Sequence, residues 1–255
     1  MHRFKDDPEW GLLLFRFRDG EVTEADIDKI NELVVKPHTE LPEDIKYATY
    51  FNRDRDSINA ALFQHRCDLL YRETGNREDS IVIFSDELEI QNSHKTYMPF
   101  HNCLTFWEHT TEDDVTLPRG AGRMDPVLRL YRGCRVMLPC NTDVKKGQAN
   151  GTQATFQKVV LKPGEATRQI LLDGTIPVMA VRASQVSHVV LQHSNDRIQP
   201  RTFSLKPKKY SLKAKILKPR ALQVGGIQHE VLRMKATQIP VLINNATTGH
   251  KLQGS

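Results

Sequence analysis

From Pro126 onward the chain is patterned for short strands. The helical spacing of apolar residues fades, and strand-like segments recur at about 128–138, 155–161, 168–172, 176–181, 186–192, 210–217 and 227–234. Turn formers separate them. Asp173-Gly174 is the clearest, because Asp-Gly suits a two-residue hairpin. Many short strands with frequent turns predict a small barrel or sandwich. The chain is long enough, at 255 residues, to bury a sizeable core. Its 39% hydrophobic and 26% charged residues read as globular rather than disordered. No apolar run approaches the roughly 20 residues of a membrane helix. Gly11–Phe15 follows acidic residues and is too short for a signal peptide.

The first half is patterned differently. Residues 22–35 predict a helix capped by Thr23, with Asp26 three residues on and Ile27, Ile30, Leu33 and Val34 on one face. Pro37 ends it. Residues 45–51 predict a strand, 52–56 a polar turn, and 57–73 a helix with Ile58, Ala61, Leu62, Leu69 and Leu70 inward. Strand, turn and helix form the unit of an α/β sheet. Residues 81–84 add a buried-type strand, and 238–244 return to that type near the end. The four cysteines, Cys67, Cys103, Cys134 and Cys140, form no CxxC pair, as expected of free thiols in a reducing compartment.

Charge divides the chain at the same place. Residues 1–126 hold 15 Lys and Arg against 26 Asp and Glu, a net of −11. Residues 127–255 hold 21 against 5, a net of +16. Such a half attracts polyanions, nucleic acid first. Residues 201–220 contain eight Lys or Arg and no acid. If 210–217 is a strand, Leu212, Ala214 and Ile216 face inward while Lys213 and Lys215 face out. Phe203 and Tyr210 interleave the charges as candidate base-stacking rings, and Lys208 and Lys209 join the candidate phosphate contacts. The alternative is a solvated edge strand kept from aggregating by its lysines.

Four stretches in order carry a more specific pattern. The first is Phe17-Arg18-Asp19-Gly20 followed by Thr23, Asp26 and Ile30-Asn31. The second is Tyr47–Asn59, with Asn52 in its turn. The third is Leu128–Thr152, through Leu130, Gly133, Val136, Met137, Leu138, Asn141, Gly147, Asn150, Gly151 and Thr152. The fourth is Gln238-Ile239-Pro240-Val241 leading to Ala246–Ser255, with Thr248, His250, Lys251, Gln253 and Gly254. Together they resemble superfamily-one DNA helicases of the petite-integration-frequency type, a group that includes the helicase portion of Helitron-like transposons. Gly249 and Leu252 depart from the family's usual Ile or Val and Ser.

That resemblance implies an α/β fold: a second RecA-like (P-loop NTPase) motor domain with an inserted small Src-homology-like β-barrel. It maps 1–45 to the end of the first motor domain, 46–125 to the start of the second, 126–236 to the barrel, and 237–255 to the return strand and motif loop. The loop of Thr248, His250, Lys251, Gln253 and Gly254 is expected to couple nucleotide to DNA, with His250 ordering the loop or contacting phosphate. Asn52, Gly133, Asn150 and Gly151 are expected as motif residues. Single-stranded DNA is the implied partner, with movement from 5′ to 3′ and no role for a membrane. The implied setting is intracellular, nuclear or mitochondrial.

The nucleotide machinery is incomplete. No GxxxxGK[ST] loop occurs, nor any Gly-Lys dipeptide. The family's last motif, with its arginine finger, has no counterpart. The expectation is a C-terminal helicase fragment that uses ATP and Mg2+ only with a first motor domain and needs neither alone. Ile81–Glu87 imitates a Walker B strand but stands in the wrong order, so an acidic solvated loop is expected there. His94, His101, Cys103 and His109 match no common zinc spacing, and an irregular surface loop is expected. Cys134 and Cys140 are expected to pack rather than react. Two other classes stay open: a free-standing nucleic-acid-binding module, and an inactive relic of a mobile element.

Overall fold

The computed structural model describes residues 7–34, 36, 45–75, 77–91, 95–108, 110, 115–118, 123–172, 176–194, 201–217 and 229–248. The chain forms two compact units, Met1–Ile45 and Lys46–Ser255. Among the described residues, no helix is long and apolar enough to cross a membrane.

In the first unit, α1 (Pro8–Asp19) is capped by Asp7, which accepts from the Trp10 N–H at 3.0 Å, and closes at Gly20. α2 (Glu24–Asn31) opens on a reciprocal capping box between Thr23 and Asp26. The Arg16 guanidinium forks onto the same Asp26 carboxylate. That hydrogen bonding holds Asp26 far below the usual carboxylate range, against the opposing effect of desolvation. α1 is not signalled by the short Gly11–Phe15 apolar stretch. α2 is shorter than the expected 22–35, so Leu33 and Val34 lie beyond its end; they and Ile27, expected inward, are exposed.

In the second unit, β1 (Tyr47–Thr49) runs into α3 (Asn52–Thr74). The expected polar turn at 52–56 is the start of that helix, with Asp54 in a first turn that favours negative charge. Phe63 and Cys67, one turn apart, are its most buried apolar residues, and Leu70 packs with them. Ala61, expected inward, is exposed.

The elements that follow are β2 (Ser80–Phe84), β3 (Asp86–Ile90), β4 (Thr96–Tyr97), α4 (Phe100–Glu108), β5 (Val115–Thr116), β6 (Val127–Tyr131), β7 (Arg135–Met137) and β8 (Gln153–Leu161). Then come β9 (Arg168–Leu172), β10 (Ile176–Arg182), β11 (Val186–His193), β12 (Thr202–Leu205), β13 (Lys208–Leu217), β14 (His229–Gln238), β15 (Leu242–Ile243) and β16 (Ala246–Thr248).

These strands build four sheets, in the orders β1-β16, β6-β2-β10-β9, β12-β11-β8-β7-β15 and β4-β3-β14-β13-β5. Only β1 with β16 and β2 with β10 pair in parallel among the described strands. Hydrogen bonding runs across the expected 125/126 boundary. β2 lies between β6 and β10, while β13 and β14 join β5 and β3 rather than the strands of 153–205. The expected 128–138 strand breaks into β6 and β7 at a turn around Gly133. Asp173-Gly174 lies outside the described residues; the flanking β9 and β10 pair antiparallel.

Two local expectations are corrected. Asp86 is not in a solvated loop. It opens β3, is buried, and accepts from both the Ser184 N–H, at 2.9 Å, and the Ser184 hydroxyl. Residues 100–108 are not irregular: α4 starts after Pro99 and buries Cys103 and Trp107, one turn apart. The signal was that i, i+4 pair behind a proline.

Two hydrophobic cores result. One joins α3 to β2, β6, β7, β8, β10 and β11. The other lies under β3, β13 and β14, where Leu88, Tyr210, Leu212, Ala214, Met234 and Ala236 meet Cys103 and Trp107 of α4. Gln238, fully buried at the end of β14, stands where the chain passes from the second core to the first. Its Nε2 donates to the Asp125 backbone carbonyl at 2.8 Å and lies 3.2 Å from the carbonyls of Ile83 and Pro126; its Oε1 accepts from the Ile239 N–H at 2.8 Å.

Gln238→Leu keeps the volume but removes the acceptor of the Ile239 N–H and the donor to the Asp125 backbone carbonyl, at about 1–3 kcal/mol each where no water reaches them, while the Pro126 carbonyl keeps the Ser85 N–H. The urea midpoint of the full chain is therefore expected to fall clearly, and an unchanged midpoint would contradict the role given to this amide. Desolvation lifts the Asp125 carboxyl to about 6, against the pull of Arg129 and Arg123. A folded pKa above the unfolded one means that stability declines as pH rises from about 4 to about 6. Asp125→Asn should flatten that decline, leaving the part due to Asp86, also raised by desolvation. Urea midpoints at pH 4 to 7 for both proteins measure it.

Candidate nucleic-acid interface

β16 carries the start of the fourth motif and lies beside β1, with Tyr47, Ala48 and Thr49 opposite Ala246, Thr247 and Thr248. Asn59, from the second motif, fixes this pairing from α3. Its Oδ1 accepts from the Ala246 N–H at 2.9 Å, and its Nδ2 donates to the Ala246 carbonyl at 3.3 Å. Asn245 ties the same corner to the third motif by donating to the Tyr131 hydroxyl at 3.0 Å. Burial pushes the Tyr131 phenol up to about 12. Thr248 is buried, and its hydroxyl has no hydrogen-bond partner among the described residues. His250, Lys251, Gln253 and Gly254 lie outside the described residues, as does the side chain of Asn52, whose backbone starts α3.

The third motif folds into backbone turns. Gly133 takes φ +88° between β6 and β7, a conformation in which a side chain is strained, and its N–H reaches the Phe156 carbonyl at 2.9 Å. Gly151 takes φ +87°, and its N–H reaches the Leu138 carbonyl at 2.9 Å. Asn141 accepts from the Asn150 N–H at 2.7 Å, and the Thr152 hydroxyl donates to the Gly147 carbonyl at 2.8 Å. These residues shape the loop by bonding to its backbone groups.

The basic stretch divides between two sheets. Phe203, in β12, packs against the first core with its ring 4.5 Å from that of His193. Tyr210 is buried in the second core, where desolvation raises its phenol, and cannot stack a base. Lys208 shares the inward parity of Tyr210; its Nζ lies 3.7 Å from Cys140 Sγ and over the Tyr210 ring. Lys209, Lys213 and Lys215 face out, and the inward positions of Leu212 and Ala214 are as expected.

The outer face of this sheet is mapped by register, since directly opposed antiparallel residues share a face. Lys209 opposes Thr237, and both engage Glu87: Nζ at 3.6 Å and the threonine hydroxyl at 2.7 Å. In the next row, Ser211, Lys235, Glu89 and Tyr97 oppose one another, with Lys235 Nζ 3.8 Å from Glu89. One row further, Lys213 lies between Thr116 and Arg233. Lys215 then opposes Val231. Glu87 and Glu89 thus pair with Lys209 and Lys235, while among the described residues no carboxylate stands directly opposite Lys213, Arg233 or Lys215. Arg233 escapes the sequence reading because only register puts it beside Lys213; Tyr97 lies on the far edge strand, in the row of Glu89.

Elsewhere, Cys103 packs in the second core with its Sγ 3.5 Å from the Met98 carbonyl, and His101 is exposed on α4. His94 and His109 lie outside the described residues. Cys134 and Cys140 are buried free thiols, Cys134 pushed up to about 12 by burial.

No family model matches the sequence, and no curated protein matches it. The fold is similar to that of the Pif1 helicase from Candida albicans, at 16% identity and a TM-score of 0.55, over 99% of this chain and 47% of that one. It is also similar to Bacteroides Pif1 in its structure bound to ssDNA, at 18% identity and a TM-score of 0.50, over 97% of this chain and 41% of that one. The chain spans less than half the length of these two proteins. At such identities the likeness is one of fold.

Asn59→Ala removes both side-chain bonds to Ala246, an expected loss of about 1–3 kcal/mol. It should appear as a lower urea midpoint and as faster amide exchange at Ala246–Thr248. Exchange unchanged at those residues would show that Asn59 does not hold the strand.

Proposed function

We propose that the chain is the second motor module of a 5′-to-3′ DNA helicase of the petite-integration-frequency type. In this reading, Lys46–Ser255 binds single-stranded DNA and presents one wall of an ATP cleft to a first motor domain, whose end is Met1–Ile45. The observation that carries it is the junction of motifs two and four. Asn59 and Ala246, 187 residues apart, meet through two hydrogen bonds, so the strand leading to Thr248, His250, Lys251, Gln253 and Gly254 stands beside the strand that opens the module. The fold likeness over nearly the whole chain supports the same reading.

This chain's residues do not supply a site for ATP and Mg2+ by themselves. The sequence has no phosphate-cradling Gly-rich loop with its lysine. ATP and Mg2+ belong to the complete helicase, and the contribution assigned here is the loop after Thr248. The nuclear or mitochondrial setting, and any part in DNA repair or recombination, follow from the resemblance. The exposed cations of the β13–β14 face favour one second reading, a DNA-binding module without enzymatic activity.

Two measurements separate these. Fluorescence anisotropy with labelled oligo(dT) should show binding that weakens steeply as salt rises. The purified chain should not hydrolyse ATP above background, whereas adding a first motor domain bearing a GxxxxGK[ST] loop should give DNA-stimulated turnover. Binding without turnover in the mixture would leave the non-enzymatic module. Absence of binding at low salt would remove both readings.

A further inference from the structure

The four buried thiols do not share one environment. Burial pushes the Cys67, Cys103 and Cys134 thiols up. Cys67 and Cys134 sit in the first core and Cys103 in the second, where its Sγ bonds the Met98 carbonyl. Cys140 differs. It stands in the bend after β7, one residue before Asn141, and accepts from the Lys208 ammonium, whose Nζ lies 3.7 Å from its Sγ. Lys208 opens β13, so this contact joins two different sheets. Among the described residues, Lys208 has no carboxylate partner. Its ammonium rests on the sulfur and over the Tyr210 ring, 5.2 Å from the centroid.

Tyr210 supplies an independent observation. It is 1% exposed, and its hydroxyl has no hydrogen-bond partner among the described residues. A buried donor without an acceptor costs free energy. Desolvation raises this phenol, and the Cys140 sulfur raises it further, so the two groups are within electrostatic reach. An ammonium and an unmatched hydroxyl thus stand by one sulfur. A single oxygen atom added to that sulfur would accept from both. Cys140 is 7% exposed, which favours a small uncharged oxidant over a bulky one.

We propose that Cys140 is a reversible oxidation site for hydrogen peroxide, with Lys208 and Tyr210 holding the sulfenic oxygen. The thiolate, its proton lost to solvent, attacks one peroxide oxygen. An S–O bond forms and the O–O bond breaks. The departing hydroxide takes a proton from the Lys208 ammonium and leaves as water; Lys208 regains a proton from solvent. Sulfur loses two electrons and the peroxide gains them, so one thiol and one peroxide become one sulfenic acid and one water. The site does not depend on the helicase reading.

The test treats the full chain with hydrogen peroxide, removes the excess with catalase, and alkylates the remaining thiols in denaturant for peptide mass spectrometry. Cys140 should lose its thiol about tenfold or more faster than Cys67, Cys103 and Cys134, gain one oxygen, and recover on addition of dithiothreitol. Lys208→Met should slow the loss at Cys140 about tenfold. Tyr210→Phe should act with opposite signs in the two states. In the reduced protein it removes an unmatched hydroxyl, so the variant should melt at or above the wild type. After peroxide it should melt below the oxidised wild type, because the oxygen has lost a donor.

Equal rates at all four cysteines would overturn the site without reference to any variant. An unchanged rate in Lys208→Met would overturn the part given to the lysine. A Tyr210→Phe difference that is the same before and after oxidation would overturn the part given to the phenol. Two or three oxygens on Cys140 with no recovery would show irreversible damage in place of a reversible site.

Discussion

The second unit depends on one buried amide. β14 ends in a sheet whose inner face belongs to one core, and the next residue, Ile239, is buried in the other. A chain that leaves one core for another must satisfy its backbone groups on the way, and among the described strands no partner of β14 continues past Gln238. The Gln238 side chain supplies what the ladder would have, donating toward the β2 end and the approach to β6 while accepting from the next backbone N–H. An aliphatic residue could fill this space but could not match those groups. The path that returns β15 to β7 and β16 to β1 passes through this point.

The residues that carry the helicase resemblance mostly do backbone work. Gly20, Thr23 and Asp26 stop one helix and start the next. Gly133 and Gly151 occupy conformations where a side chain is strained, and Asn141 and Thr152 bond to loop backbone. Asn59 acts as a two-sided clamp on Ala246. The motifs are thus signatures of a chain path. This fits a likeness that is one of fold.

Much of the path was legible for a physical reason. Strand-type apolar runs such as Ser80–Phe84 and the hairpin strands β13 and β14 announce themselves through burial on one or both faces. The Thr23 capping box is local in sequence and was read as such. What failed was contact-dependent. Asp86 looks solvated until Ser184, 98 residues away, bonds to it. α4 shows little beyond Cys103 and Trp107 because its helix exists to cover a sheet assembled from distant strands. Asn52–Asp56 has a turn's composition, yet polar residues also suit the start of a long helix. In the candidate site, the outward Lys213 and Lys215 are legible from alternation, while the burial of Tyr210 is not, because spacing among charges does not reveal which ring a core will claim.

Charge shows most clearly how topology revises a linear reading. The acidic half and the basic half do not stay apart. β3 brings Glu87 and Glu89 onto the face built from β13 and β14, where they meet Lys209 and Lys235. The excess of +16 in residues 127–255 is therefore not spread evenly over that half. Near the β3 side it is balanced locally; toward β5, no described carboxylate stands directly opposite the cations. Short exposed pairs contribute little to stability, so this division matters less for folding than for where a polyanion meets net positive potential. Register within one sheet thus separates Lys209, ion-paired with Glu87, from Lys213, which faces Arg233 of the neighbouring strand.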